Sequence, residues 1–290
     1  MINLKNYNNL KHDRAKKELI LELTFSSIFA DTRNFVRNNL FIILIILLIV
    51  SIISQIFTFL LQPSMESIAP INALMEKTLQ TYGELTPEAF SNMLMNLSEH
   101  ERNQVVPVIM SYLVKFCLIL FITNIVAMSV ITSTIFNLSY KQLTLSNLVQ
   151  CALRNILQIV LFMLSSIPLF LALFILAGII PAIAMILVIA ASLFYMLIYI
   201  LFLGIIVEPN ATSFIEKLKT ALKLFRFAST IILPIMLLFL LATIALSWLF
   251  GSLGDHVIIA IIANTVSLLI SFTVICYCYR LFSLMRQRMN

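Results

Sequence analysis

Long uncharged apolar runs alternate with short polar stretches along this chain. The runs cover Asn38 to Met65, Phe116 to Tyr140, Asn155 to Val207, Phe227 to Gly254 and Val257 to Tyr279. One membrane crossing needs about 20 apolar residues, because a helix rises about 1.5 Å per residue through a hydrocarbon core of about 30 Å. Four of the runs suit a single crossing. The third is 53 residues long and, as one helix, would overshoot the bilayer, so it predicts a hairpin. Its turn signal is Ala177-Gly178-Ile179-Ile180-Pro181, where Gly suits a helix end and Pro the first turn of the next helix. The expectation is an all-α integral membrane fold of six transmembrane helices, with spans near 39–61, 112–137, 156–176, 182–207, 229–250 and 257–279 inside a membrane domain of 39–282. Pro168 and Pro234 fall inside spans and predict kinks there.

The polar stretches have patterns of their own. Residues 62–106 form an extracytoplasmic loop with six Glu, Lys77 and Arg102. Within it, Thr86-Pro87-Glu88 reads as an N-cap with Pro at the first helical position, followed by Phe90, Met93, Leu94 and Leu97 at helical spacing. Ser98 and Glu101 form a capping box that starts a helix feeding the second span. Residues 211–228 predict a short amphipathic interfacial helix capped by Ser213 and Glu216. Its apolar face is Phe214, Leu218, Ala221, Leu222 and Phe225, and its charged face is Glu216, Lys219, Lys223 and Arg226. An N-terminal segment, 1–38, again mixes basic residues (Lys11, Arg14, Lys16, Lys17, Arg33, Arg37) with apolar ones, and a basic tail occupies 283–290.

Composition agrees with a lipid solvent. The chain is 61% apolar and 11% charged with mean hydropathy +1.04, against about half and about a quarter in soluble domains. Charge then fixes direction. Six spans with the N-terminus inside place 16 of the 19 Lys and Arg in segments 1–38, 138–155, 208–228 and 280–290. That is the positive-inside bias, so both termini are expected in the cytoplasm. Five spans would put Lys217, Lys219, Lys223 and Arg226 on the wrong side. The net charge of +6 follows from the same bias and implies no nucleic-acid partner. The first apolar run begins near Leu40, too late for a leader core and without an Ala-x-Ala site after it, so it reads as a retained span. Cys117, Cys151, Cys276 and Cys278 all lie in or beside apolar runs, which argues against a disulfide framework.

Candidate chemistry is sparse. His100-Glu101-x-x-Gln104 lacks the second imidazole of a zinc helix, and His12, His100 and His256 lie on different segments. No phosphate loop, dinucleotide fingerprint or serine nucleophile elbow is present, so neither catalysis nor a cofactor is expected. Asp255 reads as the cap of the last span. Charges inside a bilayer default to a functional reading, but Lys115 can reach the headgroups, and Arg154, Glu208 and Arg280 read as ordinary span-end charges. The neutral polar residues Asn124, Thr132 and Ser133, with Asn264, Ser267 and Ser271, suit helix packing or a substrate route. Lys217, Lys219, Lys223 and Arg226 could meet anionic lipid in the headgroup layer.

Two terminal blocks are more specific. Asp31-Thr32-x-Asn34-Phe35-x-Arg37-Asn38 precedes the first span. Asn264, Ser267 and Ser271 lead into Tyr277-x-x-Arg280-Leu281-x-x-Leu284-x-Arg286-Gln287. With Asn96, Ser98 and Glu101 between them, these residues resemble the YciC-like family of bacterial inner membrane proteins. The resemblance covers roughly residues 23–287 and is weakest between Gly178 and Glu208, where the family's adjacent Pro-Gly is here separated. It implies six spans in a Gram-negative plasma membrane and marks Asp31, Asn34, Arg37, Asn264, Ser267, Arg280 and Arg286 as motif residues, without naming a reaction. Three functional readings follow. The first is non-enzymatic support of membrane or envelope organisation. The others are a small-solute transporter or channel, and an accessory subunit with a membrane-protein partner.

Overall fold

The computed structural model describes residues 24–61, 65–84, 86–140, 143–179, 181–208, 213–252 and 256–289. These residues form eight helices: α1 (Phe25–Leu61), α2 (Met65–Tyr82), α3 (Pro87–Met95), α4 (Glu99–Tyr140), α5 (Leu145–Ile179), α6 (Pro181–Ile206), α7 (Phe214–Gly251) and α8 (Val257–Met289). Six of them, α1 and α4 to α8, are long and apolar enough to cross a membrane. The 53-residue run divides as its length requires, with one helix ending at Ile179 and the next beginning at Pro181. Backbone N–H and C=O groups that have no water must bond internally, which is why the spanning elements are helices.

The chain forms two compact units, Met1–Ile52 with Ile125–Asn290, and Ile53–Asn124. In the larger unit α6 packs along α5, α7 and α8, and α7 packs along α8. Every residue from Ile198 to Glu208 is buried, so the last third of α6 has no lipid-facing side. Gly204 allows this approach. A Cβ there would lie 2.8 Å from the Cys278 Cβ and 2.9 Å from the α8 backbone, and small residues are what let membrane helices come close. Around α6, the core takes Ile43 and Leu47 from α1, Ile131 and Ile135 from α4, and Phe162 from α5.

Hydrogen bonds join the helices of this unit at buried points. Asn155 donates to the Thr132 hydroxyl at 3.0 Å, and the Ser133 hydroxyl donates to the Leu148 carbonyl at 2.7 Å, tying α4 to α5. Thr265 donates to Ser51 at 3.0 Å between α8 and α1, and Tyr277 donates to the Ile231 carbonyl at 3.0 Å between α8 and α7. Helical backbone continues through Pro168 and Pro234, whereas the interruption in α7 lies at Ala228 (φ −116°, ψ 20°). It falls where the segment begun by Ser213 meets the apolar run, so α7 consists of two helical pieces meeting at a bend.

The smaller unit has a modest core of Leu74, Met93, Leu97 and Val105. α2 ends at Gly83, whose φ of 75° is the left-handed conformation that a helix C-terminus favours, with its N–H bonded to the Leu79 carbonyl at 2.9 Å. Thr86 caps α3 by accepting from the Ala89 N–H at 3.2 Å. Glu101 accepts from both the N–H and the hydroxyl of Ser98, so the capping box opens α4.

Candidate functional site

The polar chemistry of the larger unit concentrates at one end. There the N-terminal turns of α1, α5 and α7 meet the C-terminal turns of α4, α6 and α8, so successive spans run in alternating directions. Glu208, two residues past the end of α6, is 7% exposed. Its carboxylate pairs with the Arg286 guanidinium from α8 and accepts from the Tyr140 hydroxyl of α4 at 3.1 Å. Three helices thus converge on one buried carboxylate. Isolation of such a charge from water costs several kcal/mol, roughly, unless a partner and hydrogen bonds replace the solvent. Arg286 and Tyr140 supply both.

A second pairing lies one helical turn and a half earlier on α8. Arg280 stands 3.6 Å from the Asp31 carboxylate, lies over the Phe35 ring with 4.7 Å between its Cζ and the centroid, and sits beside the Cys276 thiol. Phe25 extends the same contact, with its ring 5.8 Å from that of Tyr277. The guanidinium is held as much by stacking as by charge, a mode open to Arg and closed to Lys.

The motif residues therefore divide. The structure brings Asp31 and Arg280 together and places Arg286 on Glu208 at the same end. Asn34 and Arg37 are exposed on α1. Asn264 and Ser267 are half-buried, about 20 Å or more along α8 from Arg280 at 1.5 Å per residue. Ser267 accepts from the Ser271 hydroxyl through its backbone carbonyl at 3.1 Å, a bond within one helix. The expected cap at Asp255 and the N-terminal cluster of Lys11, Arg14, Lys16 and Lys17 lie outside the described residues.

Glu208 is the residue that sequence reasoning undervalued. It was expected as an ordinary span-end charge and is instead buried at a three-helix junction. The signal was available, since it is the sole charged residue between Arg154 and Glu216. Among the described residues, no group of three or more His, Cys, Asp or Glu side chains has metal-holding geometry. His100 lies 3.2 Å from the Gln104 amide nitrogen. In the smaller unit, Lys77 pairs with Glu101 at 2.8 Å at the surface. Glu101 sits in the charged first turn of α4, ahead of its apolar stretch, and Lys77 together with Ser98 holds its carboxyl down at about 2. No family model, curated protein or solved structure matches this chain.

Proposed function

We propose that this chain is a non-enzymatic multi-pass protein of a bacterial inner membrane that supports membrane or envelope organisation, with its paired ionic end and both termini in the cytoplasm. The supporting observation is how the polar side chains of the larger unit are used. Thr132, Ser133, Asn155, Thr265, Tyr277 and Glu208 all engage other helices. Groups committed to packing are not arranged to pass or convert a substrate. The cytoplasmic assignment rests on Arg154, Lys217, Lys219, Lys223, Arg226, Arg280 and Arg286 belonging to the helix turns of that end. The likeness of its terminal blocks to the YciC-like family agrees with this placement.

Reconstitution tests the reading. Thermal stability should rise when phosphatidylglycerol replaces phosphatidylethanolamine in the vesicles, and a panel of solutes should show no flux down a gradient. Stability indifferent to lipid composition would count against it. A small-solute transporter is the second reading, and one observation favours it. The buried amide oxygens of Asn137 and Gln158 accept no hydrogen bond, and a solute route would use such acceptors. Solute flux that Asn137→Leu abolishes would establish that reading instead.

A further inference from the structure

In the smaller unit, α2 carries more apolar surface than its core uses. Leu74 and Thr78 are buried, Leu74 in the cluster with Met93, Leu97 and Val105. Beside them runs a second apolar row, Ile68, Ile71, Met75, Leu79 and Tyr82, whose steps of three and four residues keep it on one helix face. Met75, Leu79 and Tyr82 are 40%, 48% and 39% exposed. The opposite side carries Glu76, Lys77 and Gln80. Core and ion pair together set the roll of the helix. Lys77 meets Glu101 of α4 at 2.8 Å, and at about 100° per residue Met75 and Leu79 point about 160° away from Lys77.

Chain continuity says what covers this row. α1 ends on the exposed apolar side chains Phe59 and Leu60, and the four Cα steps from Leu61 to Met65 reach about 14 Å at most. At the other end of the hairpin, α4 leaves its charged first turn and exposes Val106, Met110 and Leu113 along an apolar helix. A helix tethered this closely to two spans lies at the bilayer surface, where an apolar face is buried between headgroups and acyl chains and a Tyr such as Tyr82 is at home. Interfacial helices commonly add a basic face that draws anionic lipid. This one does not, because residues 62–106 hold six Glu against Lys77 and Arg102.

We infer that α2 docks on the bilayer surface along Met75, Leu79 and Tyr82, and that it takes neutral, zwitterionic lipid by apolar burial rather than anionic lipid by charge. The inference goes beyond the function proposed above and holds whichever face of the membrane receives residues 62–106. It gives the two ends of the molecule different lipid preferences, with the basic end drawn to anionic headgroups and the hairpin indifferent to them.

Fluorescence of the full-length protein in phosphatidylcholine vesicles tests this, with Trp248→Phe removing the sole tryptophan. In that background Leu79→Trp should emit at shorter wavelength than Gln80→Trp, and should lose most of its emission to phosphatidylcholine brominated near the top of its chains. Gln80→Trp should instead be quenched by aqueous acrylamide. Met75→Trp, on the same row, should repeat the Leu79→Trp result and guards against a local defect at one position. Mixing phosphatidylglycerol into the vesicles should change none of these. Acrylamide quenching of Leu79→Trp as strong as that of Gln80→Trp would overturn the docking. Protection of Leu79→Trp from both quenchers would overturn it too, and would assign the row to a second copy or another protein. Quenching by brominated lipid that appears only with phosphatidylglycerol would keep the docking and overturn the headgroup assignment. All of these outcomes are separate from the lipid-dependent stability that tests the proposed function.

Discussion

Two ion pairs in this chain have the same chemistry and different surroundings. Arg286 and Glu208 meet at a three-helix junction, with only 9% of the Glu208 side chain exposed, whereas Lys77 and Glu101 meet with 51% and 40% exposed. Water screens the second pair and competes for its hydrogen bonds, so it adds little. The first replaces most of the water around the Glu208 carboxylate, and its importance lies in what happens if one partner goes. Burial, more than the presence of opposite charges, decides which pair organises the structure.

The sharpest way to break this contrast is Arg286→Leu. It removes the guanidinium from the Glu208 carboxylate and should cost about 2–3 kcal/mol, below the range for a fully buried pair because Arg286 is 42% exposed. Denaturant unfolding in mixed micelles measures it. Adding Glu208→Leu to that variant should recover stability to within about 1 kcal/mol of wild type, since an apolar pair of similar volume has no desolvation cost. A double variant as unstable as the single one would show that the junction needs charge for more than neutrality.

Gly204→Ala should come next. Its new Cβ would meet Cys278 at 2.8 Å, where the α8 backbone cannot yield, at about 2 kcal/mol of overpacking. Asn155→Ala should cost about 1 kcal/mol by removing the bond to Thr132, whose hydroxyl retains its own helix carbonyl at Met128. Lys77→Gln should have the smallest effect, with the unfolding midpoint at neutral pH unchanged within replicate error.

Acidity shows the exposed pair more clearly than mutation does. Glu101 titrates at about 2 rather than 4.5. A depressed carboxyl favours the folded state above its ordinary value and loses that contribution as pH falls through the folded one. Carbon-detected titration should place the Glu101 transition near 2 in wild type and move it upward in Lys77→Gln. An unchanged transition would assign the shift to Ser98 alone.

The spans were legible because their signal is additive. Some 20 consecutive apolar residues leave few alternatives in any solvent, and the length of the Asn155–Val207 run forced a turn wherever it lay. Asp31, Arg280 and Arg286 were singled out by pattern, but their partners were not. The pairing of Asp31 with Arg280 joins residues 249 positions apart, and a one-dimensional pattern has no term for that distance. Lys217 was misplaced for a more local reason. It was read by its charge, whereas its register with Ala221 and Leu224 puts it on the stripe facing the core. The bend at Ala228 falls where the expected interfacial helix 211–228 gives way to the expected span 229–250, whereas Pro234, the expected cause of a kink, sits in continuous helix.

One helix supplies a partner to four of the polar contacts that join helices of the larger unit. Thr265 meets Ser51, Tyr277 meets the Ile231 carbonyl, Arg280 meets Asp31 and Arg286 meets Glu208, and all four lie on α8. α8 is the last of the described helices in chain order. Its partners lie on α1, α7 and the end of α6, so those elements are already made before the contacts that tie them together can form.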